Sequence, residues 1–123
     1  PDLLARCDFV ALAVPASPET HHLIGARELS QMQPHAVLVN IARGDVVDES
    51  ALIHALQSHR IAGAGLDVYE FEPDVPPALR ALDNVTLLPH LGTATEEVRS
   101  AMGHMALDNA IAFRDGHPLL NPV

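Results

Sequence analysis

Four short apolar runs punctuate the chain, at residues 9–14, 36–39, 62–66 and 85–88, each free of charge and ending at a polar residue or a proline. Uninterrupted runs of this length suit strands buried on both faces rather than strands with one wet face. The intervening segments read as helices. Asp48 is placed to cap a helix reaching about His59, with Leu52, Ile53 and Leu56 on one face. Thr93 and Glu96 have capping-box spacing, and from there a helix should run to about Arg114, with Val98, Met102, Met105, Ala106 and Phe113 at helical intervals. Gly116 and Pro118 stop it. A shorter helix is expected around residues 27–32, ended by Pro34, and residues 70–77, with three prolines among acids, read as a loop. Strands alternating with helices predict crossover connections, a parallel sheet and an α/β fold.

In an open parallel sheet, ligands sit beyond the carboxyl ends of the strands. The residues that follow each run therefore matter most. Pro15 follows the first, Asn40-Ile41-Ala42-Arg43-Gly44 the second, Asp67 and then Glu72 the third, and Pro89-His90-Leu91-Gly92 the fourth. One arginine, two acids and one histidine should thus converge on one edge. An arginine can hold a carboxylate by two parallel hydrogen bonds. A histidine can give or take a proton near neutral pH, and a neighbouring carboxylate favours its charged form. Together they suit a substrate with a carboxylate beside a carbonyl or hydroxyl. Taken singly, each has a plainer reading: Arg43 as a surface residue in a tight turn, His90 as one of eight histidines, Glu72 as one acid in an acidic loop, Asp67 as a cap. No activated serine or cysteine nucleophile stands out. The His21-His22 pair lacks partners at metal-ligand spacing, so no metal is expected.

Composition narrows the picture further. The chain of 123 residues is 48% hydrophobic but only 3% aromatic, so its core must be aliphatic. Sixteen acidic against seven basic residues give a net charge of −9, which repels phosphate backbones and argues against nucleic acid. The single cysteine, Cys7, cannot form an internal disulfide, fits a reducing compartment, and reads as a small buried residue. No run reaches the roughly 18 apolar residues a membrane helix needs, and no signal peptide opens the chain, so no membrane contact is expected and the cytoplasm is the expected location.

The motifs, taken in order, resemble the D-isomer-specific 2-hydroxyacid dehydrogenases. The residues that carry the resemblance are Leu3-Leu4-Ala5-Arg6-Cys7-Asp8-Phe9-Val10 with Pro15, Thr20, Leu23 and Gly25; the stretch from Val37 to Asp48; Gly65-Leu66-Asp67-Val68; Glu72-Pro73; and Pro89-His90-Leu91-Gly92. It covers nearly the whole chain. Within the family, residues 65–70 and 90–95 look closest to the glyoxylate and hydroxypyruvate reductases. The resemblance implies the C-terminal half of a Rossmann-type doubly wound parallel sheet plus a C-terminal return helix. It also implies hydride transfer between NADH or NADPH and a small 2-oxo acid such as glyoxylate or hydroxypyruvate. Arg43 would bind the substrate carboxylate and polarise its carbonyl, His90 would protonate the carbonyl oxygen, and Glu72 would hold His90 charged. Asp67 and Gly92 would lie near the nicotinamide carboxamide. Val14, Pro15, Thr20, Ile41 and Ala42 would line the rest of the cofactor site, with Arg43 and His90 at its border.

Two departures qualify the resemblance. Ala13 stands where many members carry a histidine two residues before the proline, and no G-x-G-x-x-G phosphate loop occurs. Residues 1–109 therefore read as a partial NAD(P)-binding domain lacking its phosphate loop, and residues 110–123 as a return segment toward a substrate domain missing from the chain. An intact enzyme of this kind should be a homodimer, whereas the isolated chain should bind cofactor poorly, self-associate and be inactive. The alternatives are a non-catalytic, cofactor-sensing module of the same fold, or a truncated remnant without activity.

Overall fold

Each apolar run supplies one strand: β1 (Phe9–Leu12), β2 (Val37–Asn40), β3 (Gly63–Leu66) and β4 (Val85–Leu87). They form a single sheet in sequential order, all neighbours parallel. The computed structural model describes residues 3–122 and divides after His90 into two compact units. Three helices belong to the first unit: α1 (Ala26–Leu29), α2 (Glu49–Gln57) and α3 (Pro77–Arg80). The second holds α4 (Glu96–Arg114).

The register explains which face is buried. Val10, Leu38, Ala64 and Val85 lie side by side across the sheet, as do Leu12, Asn40, Leu66 and Leu87. These two rows share one face, and their members in β1 to β3 are buried. The alternate rows, led by Phe9 and Ala11, are more open, and Phe9 is 71% exposed. This departs from strands buried on both faces. In a sequentially ordered sheet, crossovers of one hand put every connecting helix on the same side. Leu29 and Met32, Leu52 and Leu56, and Leu79 accordingly close the core over that face. Cys7 packs half-buried at its margin.

Local signals account for most boundaries. The Asp48 side chain accepts the Ala51 N–H at 2.9 Å and caps α2 as expected. The helix ends with His59 in the left-handed region (φ 51°), where the His59 and Arg60 amides bond back to Leu56 and Ala55. β1 stops at Leu12, two residues before its apolar run does, because the ladder closes with the Ile41 N–H on the Leu12 carbonyl. The proline-rich loop also hides α3, which starts with Pro77 at its first position, where a missing N–H costs nothing.

In the second unit, the α4 cap is Thr95 rather than the expected Thr93; its hydroxyl accepts the Val98 N–H at 3.3 Å. Gly116, at φ 73°, ends the helix, with the His117 and Gly116 amides bonded to Ala112 and Phe113. Asn109 receives the backbone N–H groups of Leu120 and Asn121, folding the tail onto the helix. Residue 109, the expected end of the partial NAD(P)-binding domain, lies within α4. Among the described residues, no helix is long and apolar enough to cross a membrane.

Candidate active site

The site is assembled from three strand ends. At the end of β2, the buried Asn40 amide organises the turn that follows. Its Oδ1 accepts the Ala42 N–H at 3.0 Å and its Nδ2 donates to the Arg43 carbonyl at 2.9 Å. The turn then tightens into a 3₁₀ segment at Gly44–Val46. Arg43 is exposed, and its Nη1 donates to the Ala42 carbonyl at 2.7 Å.

Gly44 brings this turn against the loop leaving β3. A Cβ at Gly44 would sit 1.9 Å from the Tyr69 carbonyl carbon and oxygen and 2.3 Å from the Glu70 nitrogen. Only a residue without a side chain permits that approach. Beyond β3, the Glu72 carboxylate folds back to accept the Tyr69 N–H at 3.0 Å through Oε1. The Tyr69 hydroxyl in turn donates to the Leu88 carbonyl at 2.7 Å, fixing the exit of β4. His90 follows in the left-handed region at φ 54°, a conformation a histidine adopts at a cost of about 1–2 kcal/mol. Its Nδ1 lies 2.8 Å from Glu72 Oε2.

The Glu72 carboxylate thus has one oxygen on a backbone N–H and the other on an imidazole. Partial burial raises its pKa. The His90 hydrogen bond, the Tyr69 N–H and the nearby charges of His90 and Arg43 outweigh that, and the group ends below the ordinary carboxylate value.

Arg43, Glu72 and His90, expected from the sequence to converge, all line one open cavity of about 430 Å³, with Ala16, Asp45 and Tyr69 in its wall. A second cavity, of about 490 Å³, lies beyond the ends of β1 and β2. Ala13, Val14, Pro15, Ala16, Ile41, Ala42 and Arg43 surround it, so the two spaces share Ala16 and Arg43. Thr20 does not line it: its hydroxyl donates to the Pro15 carbonyl at 2.8 Å and accepts the Ser17 N–H at 2.8 Å, holding the β1 exit loop in shape. Asp67 is buried beyond the end of β3, outside both walls, with its N–H on the Asn40 carbonyl. Gly92 belongs to the second unit, where it is exposed just ahead of α4. Among the described residues, no group of three or more His, Cys, Asp or Glu side chains is gathered to hold a metal.

Sequence reasoning assigned no part to Asn40 or Tyr69. The signal for Asn40 was there, an amide closing an otherwise apolar strand directly before an arginine, since a buried amide needs partners nearby. Tyr69 carried no local signal of its tie to the β4 exit, because the Leu88 carbonyl is 19 positions away.

Comparison with known proteins identifies the family. The family described as D-isomer specific 2-hydroxyacid dehydrogenase, NAD binding domain, matches residues 1–92. The glyoxylate reductase of Thermococcus gammatolerans is 55% identical over 115 residues, covering 94% of this chain and 34% of its own length. The hydroxyphenylpyruvate reductase of Plectranthus scutellarioides is 45% identical over 122 residues, 99% of this chain and 39% of its own length. Among solved structures, the NADPH-dependent glyoxylate/hydroxypyruvate reductase of Sinorhizobium meliloti, in complex with NADP and malonate, superposes with a TM-score of 0.92 at 45% identity, over 94% of this chain and 36% of that one. The chain therefore spans little more than a third of the length of these relatives. By its sequence and its parallel sheet alike, the chain belongs to the D-isomer specific 2-hydroxyacid dehydrogenase family, within that family's NAD binding domain.

Proposed function

We propose that this chain supplies the catalytic part of a reductase that converts a small 2-oxo acid, such as glyoxylate or hydroxypyruvate, to its D-2-hydroxy acid with NADH or NADPH. The observation that carries the reading is the 2.8 Å Glu72–His90 bond facing a cavity that Arg43 also lines. The Sinorhizobium relative, bound to NADP and malonate, supports both the cofactor class and a small carboxylate ligand.

The cavity beyond β1 and β2 fits the nicotinamide end of the cofactor. The side chains around it are small and apolar at Ala13, Val14, Pro15, Ile41 and Ala42, and it adjoins the cavity lined by Glu72 and His90 through Arg43. Thr20 shapes the wall of the nicotinamide cavity from behind, through its hydroxyl on the Pro15 carbonyl. Pyrophosphate is left to parts of the full-length polypeptide outside this chain. A reduced nicotinamide held by the residues around that cavity would supply the hydride for the substrate carbonyl carbon.

The chain's own residues do the rest. Arg43 pairs with the substrate carboxylate and draws charge onto the carbonyl oxygen. His90, with Nδ1 committed to Glu72, presents Nε2 to that oxygen and delivers the proton that completes the alcohol. Glu72 fixes the ring and stabilises the imidazolium before transfer. In the oxidative direction the same histidine accepts the proton.

The test is oxidation of NADH or NADPH with glyoxylate and hydroxypyruvate, comparing the full-length polypeptide with its Arg43→Ala and His90→Ala variants. Each substitution is expected to lower kcat/KM by at least about 100-fold. Near-normal rates in both variants would reject the roles.

A further inference from the structure

A second cluster, which shares Asp45 and Glu70 with the wall of the site cavity, is not used by the proposed chemistry. Glu49, at the start of α2, is 5% exposed, and Glu70 is close to it on the loop leaving β3. The two bond reciprocally through long contacts: the Glu49 N–H meets Glu70 Oε2 at 3.4 Å, and the Glu70 N–H meets Glu49 Oε2 at 3.5 Å. Glu70 Oε1 lies 3.0 Å from Nε2 of His22, on the loop leaving β1. His22 takes the left-handed conformation at φ 48°, and its N–H bonds the Asp45 carbonyl at 2.8 Å. His21 stacks on it at 4.0 Å and pairs with Asp45 at 3.8 Å.

We propose that Glu70 is a positioning residue whose carboxylate ties the three site loops together and so sets the separation between Arg43 and the Glu72–His90 pair. The inference rests on reading that pair as the proton-delivering centre of a reductase. One carboxylate reaches the β1 loop through His22 and, through Glu49, the first residue of α2 at the end of the β2 loop, and it stands two residues from Glu72 on the β3 loop. Two further ties converge there: Gly44 is pressed against the backbone of Tyr69 and Glu70, and a parallel bridge between Ile24 and Val47 holds the β1 loop to the β2 loop. Two acids set together in a poorly solvated place cost stability, and burial pushes the Glu49 carboxyl above its ordinary value. Sheet packing gives no reason to keep them. A fixed spacing across the cavity does, since a displacement of about 1 Å can lower a rate by about 100-fold.

The experiment uses the full-length polypeptide and its Glu70→Ala and Glu70→Gln variants, read by amide hydrogen exchange and by steady-state kinetics. Glu70→Ala is expected to speed exchange at the Tyr69 and His22 amides by about tenfold or more, while Leu38 and Ala64 stay protected. It should also lower kcat for 2-oxo acids by about 10- to 100-fold, with cofactor Kd changed by less than about threefold. Glu70→Gln keeps an oxygen for the Glu49 N–H and a polar partner for His22, and should restore both readouts. Unchanged exchange at Tyr69, or an equal rise across β2 and β3, overturns the tie. A wild-type protein without turnover on any 2-oxo acid rejects the reductase reading instead, and the exchange pattern still decides the tie.

Discussion

Gly44→Ala offers the sharpest test of how the site is built. The added methyl would meet the Tyr69 carbonyl at 1.9 Å where an ordinary contact begins at 3.4 Å, so the two backbones must part by about 1.5 Å. The obstacle is main chain on both sides, so no side chain can rotate out of the way. Tyr69 is held besides by its hydroxyl on Leu88 and by its N–H on Glu72. Overpacking of this kind costs about 1–3 kcal/mol, and rigid neighbours place Gly44→Ala near the upper end, at about 3 kcal/mol. The geometric effect is larger than the energetic one. The parting separates the turn carrying Arg43 from the loop carrying Glu72, and a shift beyond 1 Å should reduce kcat/KM by about 100-fold or more. Urea denaturation of this chain measures the first quantity, and turnover of the full-length polypeptide on glyoxylate measures the second. An alanine variant that stays within about 0.5 kcal/mol of the parent and within about twofold of its rate would refute both the close approach and its role.

Three further outcomes follow from the carboxylates and from one helix end. Because hydrogen bonds hold Glu72 below the ordinary value of 4.5, its bond to His90 should stabilise the fold fully above about pH 4.5 and be lost as pH falls lower. A stability difference between the parent and Glu72→Gln that grows toward acid would contradict this. Glu49 has the opposite sign. Burial raises it, so ionising it costs stability as pH climbs above 4.5; Glu49→Gln should therefore be more stable than the parent at pH 7, with the advantage gone by pH 4 in paired urea melts. His59 is exposed and left-handed at the end of α2, so His59→Gly should relieve about 1 kcal/mol and raise Tm by about 3–5 °C, read by thermal unfolding.

What the sequence reveals about this protein, and what it hides, separates along the distance between interacting residues. The strands are legible because a charge-free run of four to six residues is its own signal, and so is the Asp48 cap, whose partner Ala51 lies three positions away. Once the strands are taken as parallel, the meeting of Arg43, Glu72 and His90 needs no further knowledge, since parallel strands deliver their exits to one edge. The same local reading misjudges what depends on neighbours. Ala13 and Val14 are as apolar as the strand before them, yet they leave the sheet. Phe9 belongs to a run that looks buried on both sides, yet the helices gather on the other face. The ties that shape the site are longer still: 19 positions from Tyr69 to Leu88, 21 from Glu49 to Glu70, and 48 from His22 to Glu70. A histidine, a glutamate or a tyrosine in a loop carries no local mark of such a partner. Gly44 shows the difference within one residue. Its place after Arg43 reads as a turn, but its backbone keeps an ordinary turn conformation with negative or extended φ, and what forbids a side chain is Tyr69, 25 residues on. Residues that touch substrate can be named from a motif, whereas those that fix the distances between them are found only by asking what each loop rests against.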